Sequence, residues 1–230
     1  MEFKLNIGPS GTDDRVVSMR EDVLYDVIIV GGGPAGLAAA REMLAARGLR
    51  LILDFVPNHV APDHPWASTH PEYFIQGDDE DLRKDPASFI AVGGKVLACG
   101  RDPFFPAWPD VLQLNAFNPG LRSAVAETVQ QIAEQCDGVR CDMAMLVLPE
   151  VFERTWGIRA DSFWPKAIES VRRLHPQFRF MAEVYWDLEW TMQQQGFDYA
   201  YDKRLYDRLR EGQAGPVREH FHAGLDYQDK

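Results

Sequence analysis

Three short apolar runs in this chain end in an acid. LRLILD at 49–54 ends in Asp54, GVRCD at 138–142 in Asp142, and FRFMAE at 178–183 in Glu183. Each run has the length and composition of a buried strand. In parallel α/β folds the reactive groups sit at the C-terminal ends of the strands, so acids at equivalent strand ends converge on one pocket. A single strand-end Asp often caps the next turn. Three such acids, each inside its own distinctive motif, point to chemistry instead. Arg140 stands two residues before Asp142 and therefore on the same side of its strand. There it would keep the Asp142 carboxylate ionised through a charge-assisted hydrogen bond.

Converging carboxylates suit the hydrolysis of a glycosidic bond. The transition state carries positive charge, one carboxyl must give a proton to the leaving oxygen, and a second must be ionised to attack the sugar. Crowding of like charges raises the pKa of the group that has to keep its proton.

The elements that position these acids read as alternating strand and helix. YDVIIV at 25–30 reads as a strand, 35–47 as a helix ended by Gly48, and 49–54 as a second strand, which together make a Rossmann-like βαβ unit. The 55–110 stretch is rich in prolines and reads as a long functional loop. A helix is predicted over 119–135 with Asn118 as N-cap and Pro119 at its first position. Further helices are expected at 161–174, capped by Asp161, and at 187–195, with strands at 178–184 and 197–201. Residues 1–24 and 210–230 read as polar tails around one catalytic domain at 25–209. The fold class is α/β, with a parallel sheet.

The acidic motifs carry a family resemblance. DFVPNH at 54–59, GVRCD at 138–142 and AEVYW at 182–186 resemble, in order and spacing, the first three conserved regions of the α-amylase family of glycoside hydrolases. The resemblance runs from about residue 49 to 208 and implies a sheet drawn from a truncated (β/α)8 barrel. It implies Asp142 as nucleophile and Glu183 as general acid/base of a retaining enzyme acting on an α-glucan or α-glucoside. Asp54 and His59 match positions lining the sugar site, joined by Arg140 and by Trp186, three residues past Glu183. Asn58 matches a position that binds calcium in some relatives, the alternative being an amide that stabilises its loop. Two departures stand out. Met143-Ala144-Met145-Leu146 replaces the Lys-His that follows the nucleophile in α-amylases, and the family's late Asn-His-Asp motif has no counterpart in these 230 residues. The expected activity is accordingly weak or absent.

A second signal competes. Gly31, Gly33 and Gly36 form G-x-G-x-x-G between a strand and a helix, the context of a dinucleotide-binding turn. Residues 25–40 resemble the FAD-binding start of thioredoxin reductase-like flavoproteins, and Asp54 falls where a ribose-binding acid is expected. No second glycine fingerprint and no C-x-x-C follows. The simplest account is a chimeric chain, a flavoprotein-like head joined within 36–48 to an interrupted amylase; the alternatives are a flavin-binding fragment of an oxidoreductase and an inactive folded remnant. On the amylase reading no cofactor is expected beyond calcium.

The formal net charge of −11 argues against nucleic-acid or anionic-membrane partners. Cys99, Cys136 and Cys141 lack the spacing of a disulfide framework or zinc site and fit free thiols of a cytoplasmic protein. An incomplete barrel would expose strand edges, which favours self-association.

Overall fold

The computed structural model describes residues 34–159 and 161–228. The strand expected at 25–30, with Gly31 and Gly33, lies outside them. In chain order the elements are α1 (Pro34–Ala45), β1 (Ile52–Phe55), β2 (His59–Val60), α2 (Trp66–Thr69), β3 (Gln76–Gly77), α3 (Asp79–Lys84), β4 (Phe89–Val92), β5 (Lys95–Gly100) and β6 (Trp108–Gln113). There follow α4 (Pro119–Ala133), β7 (Gly138–Cys141), α5 (Pro149–Trp156), α6 (Trp164–Arg172), β8 (Arg179–Ala182), α7 (Glu189–Gln194), β9 (Tyr199–Ala200), α8 (Lys203–Glu211) and α9 (Ala214–Gln228).

Four strands form a parallel sheet in the order β1-β7-β8-β9. Its register fixes which side chains share a face. Leu53 pairs with Val139 and Phe180, and Phe55 with Cys141, Ala182 and Ala200. On that face Val139, Cys141, Phe180 and Ala182 are fully buried, in one core with Leu121, Val125 and Val129 of α4 and Ile168 and Val171 of α6. The opposite face carries Asp54, Arg140, Met181 and Tyr199 in one row. It is open: Ile52 is 42% and Tyr199 49% exposed. Among the described residues this resembles one wall of a (β/α) barrel, with helices on one face and the other face bare.

Between β1 and α4 the chain builds a second, antiparallel sheet in the order β2-β6-β5-β3, with β4 paired to β5. The 55–110 stretch expected to be a loop is therefore ordered. Its strands are as short as two residues and interrupted by prolines, so no periodicity shows. The β4–β5 hairpin turns on Gly93 and Gly94 at φ 58° and 77°, the left-handed pair that two-residue hairpins favour.

Local signals behave as the sequence predicts at several ends. The Asn118 side chain accepts from the Leu121 N–H at 3.1 Å at the start of α4, and Gly48 takes φ 68° after α1. Beyond these expectations, DDEDLRKD at 78–85 forms α3 behind an Asp78 capping box. Two expectations are corrected. Phe163, not Asp161, precedes α6, because Pro165 fits the first turn and Trp164 buries against the core. The 210–230 stretch is not a tail, since α9 occupies 214–228 and packs on α8.

Candidate active site

Asp142 and Glu183 lie one residue past the ends of β7 and β8. The parallel ladder continues to them, with the Asp142 N–H donating to the Phe55 carbonyl and the Glu183 N–H to the Cys141 carbonyl. Both therefore stand one step beyond the Asp54–Arg140 row, on the open face. The three acids are thus not level, as the sequence motifs suggested: Asp54 is in register with Arg140, and only Asp142 and Glu183 share the outer row.

Arg140 gathers all three. One guanidinium nitrogen donates to Asp54 Oδ1 at 2.8 Å and to Asp142 Oδ1 at 2.9 Å. The other meets Glu183 Oε2 at 2.5 Å, and Nε donates to the Tyr201 hydroxyl at 3.2 Å. Asp142 and Glu183 consequently sit on one rim, held by one cation. Burial alone would lower the Arg140 pKa, but Asp54, Tyr201, Asp142 and Glu183 together raise it well above its ordinary value.

Glu183 has further donors. The Tyr185 hydroxyl donates to Oε1 at 2.5 Å and the Met143 N–H to Oε2 at 2.8 Å. Burial pushes the Glu183 carboxyl up, yet these bonds and the Arg140 charge outweigh it and hold the pKa below the ordinary glutamate value. Asp142 goes the other way. Burial and the charge of Glu183 raise its pKa, with Arg140 opposing. The two shifts run opposite to those that a protonated Glu183 and an ionised Asp142 require.

The backbone around the rim is unusual. Met143, Trp186 and Asp187 adopt φ 42°, 62° and 61°, left-handed values that cost non-glycine residues roughly 1–3 kcal/mol each and concentrate at functional sites. At Met143 this geometry accompanies the N–H bond to Glu183. Beside it, the Trp164 indole donates to the Ala144 carbonyl at 2.9 Å.

The remaining candidates are placed elsewhere. His59 packs edge-on against Trp108 at 5.4 Å in the antiparallel sheet, with Asn58 as its polar neighbour, and burial lowers its pKa. Asn58 is buried and its amide is engaged by Gln113, whose Nε2 donates to Asn58 Oδ1 at 2.9 Å. Among the described residues no group of three or more His, Cys, Asp or Glu is arranged to hold a metal. Trp186 packs edge-on with Phe104 at 4.7 Å, where Phe104 is held on a turn by Asp102. Gly36 lies in the first turn of α1. The three cysteines are buried free thiols. Tyr185, Tyr201 and the Met143 N–H were not singled out by the sequence. Tyr185 had a legible signal, two residues past Glu183, while Tyr201 reaches Arg140 only through the strand register.

The fold and this rim resemble part of an α-amylase-type barrel. No family model matches the chain. In sequence it is similar to the trehalose synthase/amylase TreS of Mycobacterium tuberculosis, 27% identical over 148 residues that cover 56% of this chain and 23% of TreS. The chain thus spans about a quarter of that relative's length. In structure it is similar to an alpha-amylase from Lactobacillus plantarum, with a TM-score of 0.57, 24% identity, and coverage of 86% of this chain and 43% of that one. An Anoxybacillus alpha-amylase gives a TM-score of 0.59 at 17% identity, covering 85% of this chain and 40% of that one. At these identities the structures establish the fold. The TreS match relates the chain, distantly, to α-amylase family glycoside hydrolases. Nothing in these matches supports a flavoprotein segment.

Proposed function

We propose that this chain carries the cleavage half of a retaining α-glycoside hydrolase site, with Asp142 as nucleophile and Glu183 as general acid/base. One observation carries the reading: a single guanidinium, Arg140, holds Asp54, Asp142 and Glu183 at 2.5–2.9 Å on the C-terminal rim of a parallel sheet. Asp142 would attack the anomeric carbon, Glu183 would give its proton to the leaving oxygen, and water would then release the sugar with Glu183 acting as base. Arg140 orients the nucleophile, and Asp54 adds negative charge for the oxocarbenium-like transition state. The substrate class is an α-glucan or α-glucoside, as the name of TreS suggests. Trp186 and Phe104 offer it an aromatic edge at the rim.

Turnover by these residues alone is weak on this reading. The Asp54 side chain is 61% exposed, and fixed charges stabilise a transition state far better where water is excluded. The test is nitrophenol release from nitrophenyl α-glucoside by the whole chain, beside Asp142→Asn and Glu183→Gln. Slow release that is lost in Asp142→Asn supports the assignment. Equal release by the native chain and Asp142→Asn overturns it.

A further inference from the structure

Tyr185 is more than a neighbour of Glu183. Both Glu183 oxygens are taken: Oε2 accepts from the Met143 N–H at 2.8 Å and faces Arg140 at 2.5 Å, and Oε1 accepts from the Tyr185 hydroxyl at 2.5 Å. A carboxylic acid that is to deliver a proton has to present its own O–H on one oxygen. Oε2 is fixed by a backbone amide and a guanidinium, so Oε1 is the oxygen left for that proton. The Tyr185 hydroxyl already donates to it and so favours its ionised form.

The placement of Tyr185 is built in. Val184 is fully buried between it and Glu183, and the two left-handed residues Trp186 and Asp187 follow at once. The ring also has somewhere to go. It lines a cavity of about 390 Å³ together with Tyr201, Asp202, Lys203 and Tyr206. The polar groups across that cavity are already engaged: Tyr201 accepts from Arg140, Asp202 caps α8 at Leu205, and Lys203 pairs with Asp207.

We infer that Tyr185 is a positioning residue that clamps Glu183 as an ionised carboxylate, and that rotation of its ring into the adjoining cavity frees Oε1 to take a proton from solvent. The inference deepens the proposed function, since it concerns the group assigned there as acid/base. Two features agree with the clamp. The Glu183 carboxyl lies below the ordinary range with Tyr185 as its leading hydrogen-bond donor, and burial and Glu183 push the Tyr185 hydroxyl up in turn. The other ionisable groups facing Glu183 are Arg140 and Asp142 of the β7 strand end, with Asp54 of β1 on the far side of Arg140.

The test reads Glu183 directly and needs no turnover. The carboxyl carbon of Glu183 is followed by NMR against pH in the full chain labelled at glutamate, its signal identified by loss in Glu183→Gln. In the native chain the midpoint lies below that of the exposed glutamates. In Tyr185→Phe, which keeps the ring, it moves up toward them. Tyr201→Phe, which removes a bond to Arg140 but none to Glu183, leaves the midpoint nearer its native position. An unchanged midpoint in a folded Tyr185→Phe overturns the clamp, as does an equal rise in Tyr201→Phe. Failure of the glucosidase assay with a shifted midpoint would reject the function and leave the clamp standing.

Discussion

Arg140 meets Glu183 at 2.5 Å and Asp142 at 2.9 Å, so the same guanidinium neutralises both carboxyls. Its planar fork spans them in a way that a lysine ammonium does not. Arg140→Gln leaves three acids facing one another without a cation. The expected cost is about 2 kcal/mol at neutral pH, by analogy with hydrogen bonds to charged groups. The loss shrinks in acid, where protonation relieves the repulsion. Urea unfolding of both proteins at neutral and acid pH measures this, and a constant difference across pH contradicts it.

Asp198 is a structural counterpart at the other end of the sheet. It accepts from Arg172 and Arg179 at 2.8 Å each, and from the Phe180 N–H at 2.8 Å. Burial pushes its carboxyl up, but these partners outweigh burial and hold its pKa below the ordinary value. A folded-state pKa below the unfolded one gives stability that is present above the unfolded pKa and lost as pH falls through the folded one. Asp198→Asn should therefore unfold more easily by about 2 kcal/mol at pH 7, with the difference closing below about pH 4. Chemical denaturation across that range checks it, and a gap that persists in acid counts against the ionic account.

Gly138 starts β7, the strand that leads into Asp142. A Cβ there would stand 2.6 Å from the backbone carbonyl oxygen of Arg179, its register partner on β8. Backbone cannot swing aside as a side chain does, so Gly138→Ala must push β7 from β8. The expected loss is roughly 1–3 kcal/mol, the usual cost of overpacking. A thermal melt equal to that of the native chain would show that the strands yield more easily than the packing implies.

The open sheet face exposes Ile52 and Tyr199 on β1 and β9, the two outer strands of the parallel sheet. Bare strand edges beside apolar side chains are templates for association. Sedimentation of the whole chain should show self-association that rises with concentration and falls in Ile52→Lys/Tyr199→Lys. A monomer at all concentrations would mean that the face tolerates water as it stands.

Much of the site was legible because its signals are local. LRLILD, GVRCD and FRFMAE each carry an acid at a strand end, and the i, i+2 rule puts Arg140 beside Asp142. Asn118 and Gly48 announce helix ends by their own side-chain chemistry or its absence. What stayed hidden depends on register. That Asp54 aligns with Arg140 and not with Asp142, or that Tyr201 reaches the guanidinium, follows only once four strands are in place. The antiparallel sheet was missed because strands such as His59–Val60 and Gln76–Gly77 are too short for alternation to appear. The lowered tendency of Glu183 comes from the Tyr185 hydroxyl, the Met143 amide and Arg140, and the raised one of Asp142 from burial and the charge of Glu183, a non-local coincidence.

The central claim is that Asp142 is the nucleophile of a retaining site, and covalent trapping tests it most directly. The whole chain is incubated with 5-fluoro-α-glucosyl fluoride, whose fluoride leaves without help from an acid, and the protein is then digested and its peptides weighed. The account predicts one glycosyl adduct, on the carboxylate of Asp142, and none in Asp142→Asn. An adduct on Glu183 or another carboxylate, or a chain that remains unlabelled after prolonged exposure, contradicts it.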